Sequence, residues 1–341
     1  MQYIDFHCDT LMMFGRPKPQ SQIMTEPNSQ ITNAEGANTT PAPTLYQNDR
    51  MVDFVRMKQG GCAAQFFATF MPPRRWSEGM TDEIYRQRLY AGLMGELQVH
   101  SDIIAFARNY EEYKANCKNG LMSAFLTFED GRMVEGSHDK LKEYYDLGYR
   151  LISFTWNGAN CFGYPNSADP VEMQKGLTTF GFEAVEHMNQ LGMIIDVSHL
   201  SDGGFYDVAK TTKRPFVASH SNSRTMTPHQ RNLTDDQICL LAEKGGFMGI
   251  NFAPEFIGET TECKDSTVTR ICDHIEHIVK VGGMEVVGLG SDWDGIGGNI
   301  EVNSPLEVHR IYAELSKRGF SEGNIEKFAF GNAERILKET L

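Results

Sequence analysis

The chain has 341 residues, of which 40% are hydrophobic and 23% charged, and 45 Asp and Glu outnumber 32 Lys and Arg to give a formal net charge of −13. Without a basic surface to hold phosphates, nucleic acid is excluded as an expected partner. No run approaches the roughly 18 apolar residues that span a bilayer, and the N-terminus does not read as a signal peptide, so we expect a cytoplasmic protein that does not bind membranes.

Short β-rich runs alternate with amphipathic segments along the chain. The eight strand candidates are Gln2–Cys8, Ala63–Phe70, Leu121–Phe128, Arg150–Thr155, Met193–Ser198, Pro215–Ser219, Phe247–Phe252 and Val286–Ser291. The helix candidates are Glu83–His100, Tyr110–Cys117, Lys140–Asp146, Phe180–Leu191, Gly203–Thr211, Asp235–Glu243, Thr267–Val281, Pro305–Arg318 and Glu322–Phe330, the last beginning after an N-cap at Ser321.

Repeated strand-then-helix units predict a parallel sheet, and eight such units favour an α/β fold of the (β/α)8 TIM-barrel type. We therefore expect residues 1–341 to form a single domain around one barrel. A doubly wound open sheet is the alternative. It is less favoured because no Gly-x-Gly-x-x-Gly follows the first strand.

The predicted barrel carries one long loop, which follows its first strand. Residues 17–44 are rich in Pro, Asn, Gln, Ser and Thr, with Pro-x-Pro at 17–19 and at 41–43. So long a connection is either functional or disordered. Because a connection after a barrel strand lies over the C-terminal mouth, we hypothesise that this loop is a lid or a pocket wall.

The first predicted strand leads into His7-Cys8-Asp9. Residues two apart on a strand point to the same face, so His7 and Asp9 can converge on one ion while Ile4, Phe6 and Cys8 face outward toward helices. Asp5 is expected on the inward face below His7, where it could orient the imidazole. On its own, His-x-Asp is a weak signal for a metal site.

The same placement recurs after four other predicted strands. Glu129 follows the third, His199 the fifth, His220 the sixth and Asp292 the eighth. A single polar residue at a strand end is more often a surface residue than a ligand. Since the C-terminal strand ends of a barrel all surround one mouth, five strands that lead into metal-ligand residue types predict a shared site.

Three histidines and three carboxylates, in a chain without a Cys-x-x-Cys pair, suit zinc or another divalent transition metal. Six side chains are too many for one four-coordinate zinc that keeps an open position. Two ions about 3.5–4 Å apart that share one carboxylate would use them all. Such a pair acidifies a bridging water and polarises a carbonyl, and a remaining carboxylate can move the proton, so the set predicts hydrolytic chemistry.

The ordered motifs resemble the membrane (renal-type) dipeptidase family of the amidohydrolase superfamily. The resemblance rests on His7-x-Asp9, Phe-Glu129-Asp-Gly, Asp-Val-Ser-His199, Ala-Ser-His220-Ser-Asn and Gly-Ser-Asp292-Trp-Asp-Gly. The match runs in order from residue 5 to residue 335 and so covers nearly the whole chain. It implies a (β/α)8 barrel, two Zn²⁺ per chain, and hydrolysis of the peptide bond of dipeptides by a metal-bridging hydroxide.

The resemblance also implies which residues hold the metal. His7 and Asp9 would bind one zinc ion, and His199 and His220 would bind the other. Glu129 would bridge the two ions, which makes it a catalytic group as well as a ligand.

Two further residues take roles from the resemblance. Asp292 would contact the first metal and the bridging hydroxide, and would shuttle the proton. Arg231, in His-Gln-Arg-Asn, resembles the family arginine that holds the terminal carboxylate of the substrate, a task that suits a guanidinium because it binds carboxylates bidentately. Asp294, which precedes Gly295, is interpreted as a turn residue rather than a ligand.

The chain departs from the family pattern after the fourth predicted strand. Animal members carry a histidine there that steadies the substrate or the tetrahedral oxyanion, whereas this chain has Trp156 followed by Asn157. An indole donates one hydrogen bond but carries no charge at neutral pH. We therefore expect the oxyanion to be stabilised by the zinc ions or by Asn157, with Trp156 and Asn157 both contacting substrate.

Two alternatives to a dipeptide-cleaving enzyme stay open. The first is another amidohydrolase-type reaction at the same centre, hydrolysis of a lactam or of an N-acyl amino acid. The second is a metal-binding barrel protein without turnover, although all six positions carry competent residues. The family further implies a possible homodimer, while the membrane association in its name is not carried over to this chain.

Overall fold

The computed structural model describes residues 1–15, 43–73 and 79–341. Its centre is a ring of eight parallel strands: β1 (Tyr3–Cys8), β2 (Cys62–Phe70), β3 (Met122–Glu129), β4 (Tyr149–Ser153), β5 (Ile194–Asp196), β6 (Val217–Ala218), β7 (Phe247–Ile250) and β8 (Val287–Leu289). Each strand pairs with the next, and β8 pairs with β1, which closes the ring. The predicted (β/α)8 barrel is confirmed.

Three further strands, each of two or three residues, lie outside this ring in the described part of the chain. Ile104–Phe106 pairs in parallel with the first residues of β3, and Asp265–Ser266 pairs with Asn299–Ile300. None of them is among the predicted strands. Two or three residues are too few for an alternating pattern to show in a sequence.

Helices surround the barrel and follow its strands in turn. Over the described residues they are Met12–Gly15, Phe54–Gly60, Asp82–Val99, Tyr110–Lys118, His138–Leu147, Pro170–Met173, Thr179–Leu191, Asp202–Thr211, Asp235–Glu243, Pro254–Ile257, Val268–Gly282, His309–Lys317, Glu322–Glu326 and Asn332–Thr340. Many begin after a short polar side chain that accepts a hydrogen bond from the first turn, as Thr234 does from the backbone of Gln237.

The last two predicted helices differ from those in the structure. The first of them begins only at His309, after a 3₁₀ turn at Pro305–Glu307. The second begins after Ser321, which caps it as predicted by accepting from the backbone of Asn324. It passes at Lys327–Gly331 into a wider π turn and then into the final helix, Asn332–Thr340, which the sequence pattern did not indicate.

The interior of the barrel is filled by an apolar cluster below the mouth. The cluster combines side chains from seven strands with the final helix; it includes Ile4, Phe6, Phe66, Phe125, Leu151, Ile194, Val217, Phe247, Ile336 and Leu337. A second and larger cluster packs the outer faces of the strands against the helices. The polar site above therefore has a dry, close-packed floor, which holds the strand ends in fixed positions.

Strand β1 does not keep the strict alternation predicted for it. Ile4 and Phe6 are predicted to face outward, yet both belong to the inner cluster. There the ring of Phe6 stacks on that of Phe66, with 4.2 Å between centroids. The register of β1 against β2 shifts between Asp5 and Cys8. Because of this irregularity, the consecutive residues Phe6 and His7 both point inward, Phe6 into the apolar interior and His7 into the mouth.

Asp5 does not hydrogen-bond the imidazole of His7, although the sequence predicts that it orients that ring. Its carboxylate accepts hydrogen bonds from the backbone N–H (2.8 Å) and the hydroxyl (2.7 Å) of Ser291, and from Nε2 of Gln65 at 2.7 Å. Both ring nitrogens of His7 lack a hydrogen-bond partner. Asp5 therefore anchors the segment after β8, the strand that precedes Asp292.

The predicted lid, residues 17–44, lies outside the described residues except for its last two positions. There the hydroxyl of Thr44 donates to a carboxylate oxygen of Glu96 at 2.8 Å. Over the described ranges, the structure contains no helix that is both long and apolar enough to cross a membrane.

Candidate metal centre

The structure brings all six predicted metal ligands together at the C-terminal mouth of the barrel. Each belongs to a strand or to the first three residues after one: His7, Asp9, Glu129, His199, His220 and Asp292. Their side chains are deeply buried, with residue exposures of at most 8%. A group of this composition, buried together, is typical of a metal centre rather than of a surface cluster.

His7 lies at the centre of one half of the site. Its Nε2 atom is 3.5 Å from Oδ2 of Asp9, 3.6 Å from Oε2 of Glu129 and 3.8 Å from Oδ1 of Asp292. These separations are those of ligand atoms that surround a common ion, and the atoms of His7, Asp9 and Asp292 all lie within 4.8 Å of one another.

The second half of the site is formed by the two other histidines. Nε2 of His199 and Nε2 of His220 are 3.0 Å apart. They lie 2.9 Å and 3.5 Å from the same atom, Oε1 of Glu129. The two carboxylate oxygens of Glu129 therefore face different halves of the site, which is the arrangement that a bridging ligand requires.

Several buried polar atoms of the site have no hydrogen-bond partner: both ring nitrogens of His7, Oδ1 of Asp9 and Nδ1 of His199. Burial of unpaired polar atoms is costly unless a ligand satisfies them. Imidazole is a borderline donor and carboxylate a hard one, and this combination suits zinc and its divalent neighbours. The residues present therefore fit a pair of divalent cations.

The pKa shifts of His199, His220 and Glu129 favour the protonation states in which these groups bind metal. Burial, and then the positive charge of Arg231, lower the pKa of His199 to about 4, so its imidazole stays neutral. Burial, and then His7, lower the pKa of His220 well below its usual value. Burial raises the pKa of Glu129, but the charges and hydrogen bonds of the three histidines outweigh it and hold that pKa well below its ordinary value. Burial lowers the pKa of His7, but the charges of Glu129 and Asp9 outweigh it and hold that pKa well above its usual value. His199 and His220 are thus already in the neutral form that binds metal, whereas His7 must lose a proton when an ion binds.

Two ligand positions adopt a left-handed backbone conformation, His199 with φ of 69° and Asp292 with φ of 61°. Such angles are uncommon for residues other than glycine and concentrate at functional sites. Close by, Gly295 leaves no room for a side chain, since a Cβ there would lie 2.1 Å from Oδ2 of Asp9 and 2.5 Å from Oδ1 of Asp292. The backbone of the turn after β8 therefore lies directly against the carboxylates of Asp9 and Asp292.

The site opens into a cavity of about 450 Å³. The predicted substrate-binding residues Arg231, Trp156 and Asn157 all line it. The ring of Trp156 packs edge-on against Phe70, with 5.0 Å between centroids. The cavity is of the size that holds a small molecule rather than a folded chain.

Arg231 is buried, with 6% exposure. Its Nη1 and Nη2 atoms donate to the hydroxyl of Ser221 (3.4 Å) and the carbonyl of His220 (3.2 Å), while Nε has no partner. Across the described residues no carboxylate lies within ion-pair distance of it. Burial lowers its pKa, and the carboxylates of Asp292 and Glu129 partly offset this. A buried guanidinium without a carboxylate partner suits an anionic ligand.

The sequence interpretation missed several residues that shape the site. Asn251 donates to Oδ2 of Asp292 at 2.8 Å; as a polar residue just after β7, it carried the same strand-end signal as the predicted ligands. Glu255 and Phe256 also line the cavity, but no local pattern identifies them. Asp294 is a turn residue as predicted, and its carboxylate also accepts from the hydroxyl of Thr10 at 2.6 Å.

The whole chain, residues 1–341, matches the sequence profile of the family described as membrane dipeptidase, peptidase family M19. An uncharacterized dipeptidase of Schizosaccharomyces pombe is 33% identical over 254 residues, which are 72% of this chain and 61% of that protein. The dipeptidase aclJ of Aspergillus oryzae is 32% identical over 312 residues, 88% of this chain and 72% of its own length.

Two solved structures have the same fold as this chain. The crystal structure of the dipeptidase AC, a metallopeptidase of family M19, superposes with a TM-score of 0.83 at 25% identity, covering 100% of this chain and 98% of that one. A metallopeptidase of Rhodobacter sphaeroides, solved with a phosphinate mimic of the dipeptide L-Ala-D-Ala, shares the fold with a TM-score of 0.83 at 24% identity, covering 100% and 99% of the two chains.

Proposed function

The chain belongs to the membrane dipeptidase family, peptidase family M19, a family of metallo-dipeptidases, and we propose that it is a zinc-dependent dipeptidase with two Zn²⁺ per chain. In this proposal residues 1–341 act as one metal-dependent hydrolase domain. The homodimer and the cytoplasmic location expected from the sequence stay predictions.

One observation carries the proposal. Glu129 directs Oε2 toward Nε2 of His7 at 3.6 Å and Oε1 toward Nε2 of His199 at 2.9 Å. A single carboxylate between two sets of imidazole ligands supports a binuclear centre better than a mononuclear one. His7 and Asp9 would hold one ion, His199 and His220 the other, and Glu129 would bridge them.

A pair of divalent ions in these positions supplies a water acidic enough to attack at neutral pH and an electrophile for the scissile carbonyl oxygen. The chain itself supplies the proton transfer. Oδ1 of Asp292 faces His7, while Oδ2 is held by Asn251. Burial, together with the charge of Glu129, raises the pKa of Asp292 to about 6. From this position, between the metal centre and the cavity, the carboxylate of Asp292 would take a proton from the attacking water and pass it to the leaving amine.

The cavity residues outside the metal centre would hold the substrate. Arg231 would bind the terminal carboxylate of a dipeptide through its unpartnered Nε and its Nη atoms. Trp156 and Asn157 would contact the substrate on the side of the fourth strand, with the amide of Asn157 available to the oxyanion. Because the cavity is about 450 Å³, we expect dipeptides to fit better than longer peptides.

The test is a panel of dipeptides, including ones with D-residues at the C-terminus, assayed on protein whose metal content is measured in the same sample. We expect hydrolysis that depends on two metal ions per chain and falls by about 10²–10⁴-fold in Asp292→Asn. If metal-replete protein cleaves none of the panel and Asp292→Asn behaves identically, the proposal is wrong.

The same measurements separate the two alternatives. Hydrolysis of lactams or N-acyl amino acids without hydrolysis of dipeptides would indicate another amide substrate at this centre. Fewer than one metal ion per chain after purification without chelator, and no activity on reconstitution, would indicate a barrel protein without turnover.

A further inference from the structure

Asp196 is the last residue of β5, three residues before His199, and its side chain is fully buried. Its Oδ1 atom accepts hydrogen bonds from the backbone N–H groups of Ser198 (3.0 Å) and Ser219 (2.8 Å). Its Oδ2 atom accepts from the hydroxyl of Ser219 at 2.6 Å and from the hydroxyl of Ser153. Four donors on one carboxylate satisfy it completely.

Two of the three serines that donate to Asp196 immediately precede metal-site histidines. Ser198 is followed by His199, and Ser219 is followed by His220. Asp196 therefore ties the ends of β5 and β6 to one another at the points where they present their imidazoles. The hydroxyl of Ser198 adds a further link, since it accepts from the backbone N–H of His220 at 3.0 Å.

The hydroxyl of Ser219 also lies 2.7 Å from Nδ1 of His220. A hydroxyl has one hydrogen, and here it is directed to Asp196, because an ionised carboxylate can only accept. The Ser219 oxygen must then accept from Nδ1–H of His220. This direction of donation leaves Nε2 without hydrogen, and Nε2 is the atom that faces Glu129 and His199.

We propose that Asp196 and Ser219 are positioning residues that fix His220 as its Nδ1–H tautomer, with the Nε2 lone pair directed into the metal centre. The carboxylate acts through the serine hydroxyl rather than on the imidazole directly. The inference rests on the proposed function only in taking His220 as a metal ligand. The tautomer itself is a property of the protein without metal.

The variants follow from the direction of the hydrogen bonds. Ser219→Ala removes the acceptor of Nδ1–H, so neither tautomer of His220 is favoured. Asp196→Asn places an amide N–H₂ where the serine hydroxyl donated. Ser219 then accepts from the amide and donates to Nδ1, which moves the histidine proton to Nε2. Ser153→Ala is the matched control, because it removes a hydroxyl from the same carboxylate oxygen and leaves the path to His220 intact.

The first readout is the tautomer of His220, measured by long-range ¹⁵N–¹H NMR on metal-free, ¹⁵N-histidine-labelled protein and assigned with His220→Gln. We expect Nδ1–H in the natural chain and in Ser153→Ala, a mixture in Ser219→Ala, and Nε2–H in Asp196→Asn. The second readout is metal titration. We expect the ion held by His199 and His220 to bind about 10–100-fold more weakly in Ser219→Ala than in Ser153→Ala.

The proposal is overturned if His220 of the natural chain is the Nε2–H tautomer. It is equally overturned if Ser219→Ala matches Ser153→Ala in both tautomer and metal affinity. Should Asp196→Asn fail to fold, the natural chain and the two serine variants still decide the matter. A chain with the expected tautomers but no dipeptidase activity would contradict the proposed function and leave this inference standing.

Discussion

The side-chain amide of Asn251 donates a hydrogen bond of 2.8 Å to Oδ2 of Asp292. Asn251 is itself held in place, because its Oδ1 atom accepts from the backbone of Ala253 at 2.7 Å and its own backbone N–H donates to Asn222 at 3.0 Å. The end of β7 thus orients the carboxylate that follows β8. The free oxygen, Oδ1, is left facing His7 and the cavity.

Replacing Asn251 with Ala should therefore impair the proton transfer assigned to Asp292. We expect kcat to fall by about 10–100-fold with little change in KM, the range found for groups that orient a metal-site residue. Steady-state kinetics on a dipeptide measures this. Asn189→Ala is the matched control, since Asn189 is another buried amide and accepts from Thr212 far from the site; equal losses in the two variants would contradict the assignment.

Arg231→Ala should weaken binding of substrates that carry a free C-terminal carboxylate. Loss of charge-assisted hydrogen bonds worth about 1.5–3 kcal/mol raises KM by about 10–100-fold. The matched comparison uses the same dipeptide with its C-terminus amidated, for which KM should barely differ between the natural chain and the variant. An equal rise in KM for both substrates would show that Arg231 does not hold the carboxylate.

Gly295→Ala should disrupt the half of the site that contains His7. The added Cβ would lie 2.1 Å from Oδ2 of Asp9, closer than any real contact, so the carboxylate must move. We expect the bound metal to fall from two ions toward one per chain, measured by elemental analysis. Gly297→Ala is the control, because a Cβ there meets nothing within 4 Å; unchanged metal content in both variants would contradict the expectation.

His274 should make the fold sensitive to acid. It is fully buried, with Nδ1 accepting from the backbone of Ser223 and Nε2 placed to donate to the hydroxyl of Thr227, each at 3.2 Å. That arrangement suits the neutral ring, and burial, followed by the charge of Arg270, lowers its pKa to about 3. Because the folded pKa lies below the unfolded value of about 6.5, the stabilisation is present above pH 6.5 and is lost as the pH falls toward 3.

Urea unfolding of the natural chain and of His274→Gln measures this contribution. Between about pH 6.5 and 4.5 the natural chain should lose about 2–3 kcal/mol of unfolding free energy that the variant does not lose, since each pH unit in that range costs about 1.4 kcal/mol. Groups that titrate in both proteins cancel in the difference. Parallel pH dependence in the two proteins would remove His274 as the cause.

The barrel and the six residues that meet at its mouth could be predicted from the amino-acid sequence alone. Both depend on local patterns, strand followed by helix and strand followed by ligand, and a closed parallel barrel has only one place where its C-terminal strand ends meet. The geometry of the ring then carries residues as distant as His7 and Asp292 to within 3.8 Å. No tertiary detail is needed for that inference.

The contacts that hold those residues in place could not be predicted from the sequence and became visible in the folded barrel. The register of β1 shifts, and Phe6 lies in the interior, whereas strict alternation predicts that it faces outward. Asp5 hydrogen-bonds Ser291 rather than the imidazole of His7. Asp196 acts on His220 through Ser219, and Asn251 acts on Asp292. These contacts join different strands and depend on register and hydrogen-bond direction, which are set by packing across the barrel and leave no periodic trace along the chain.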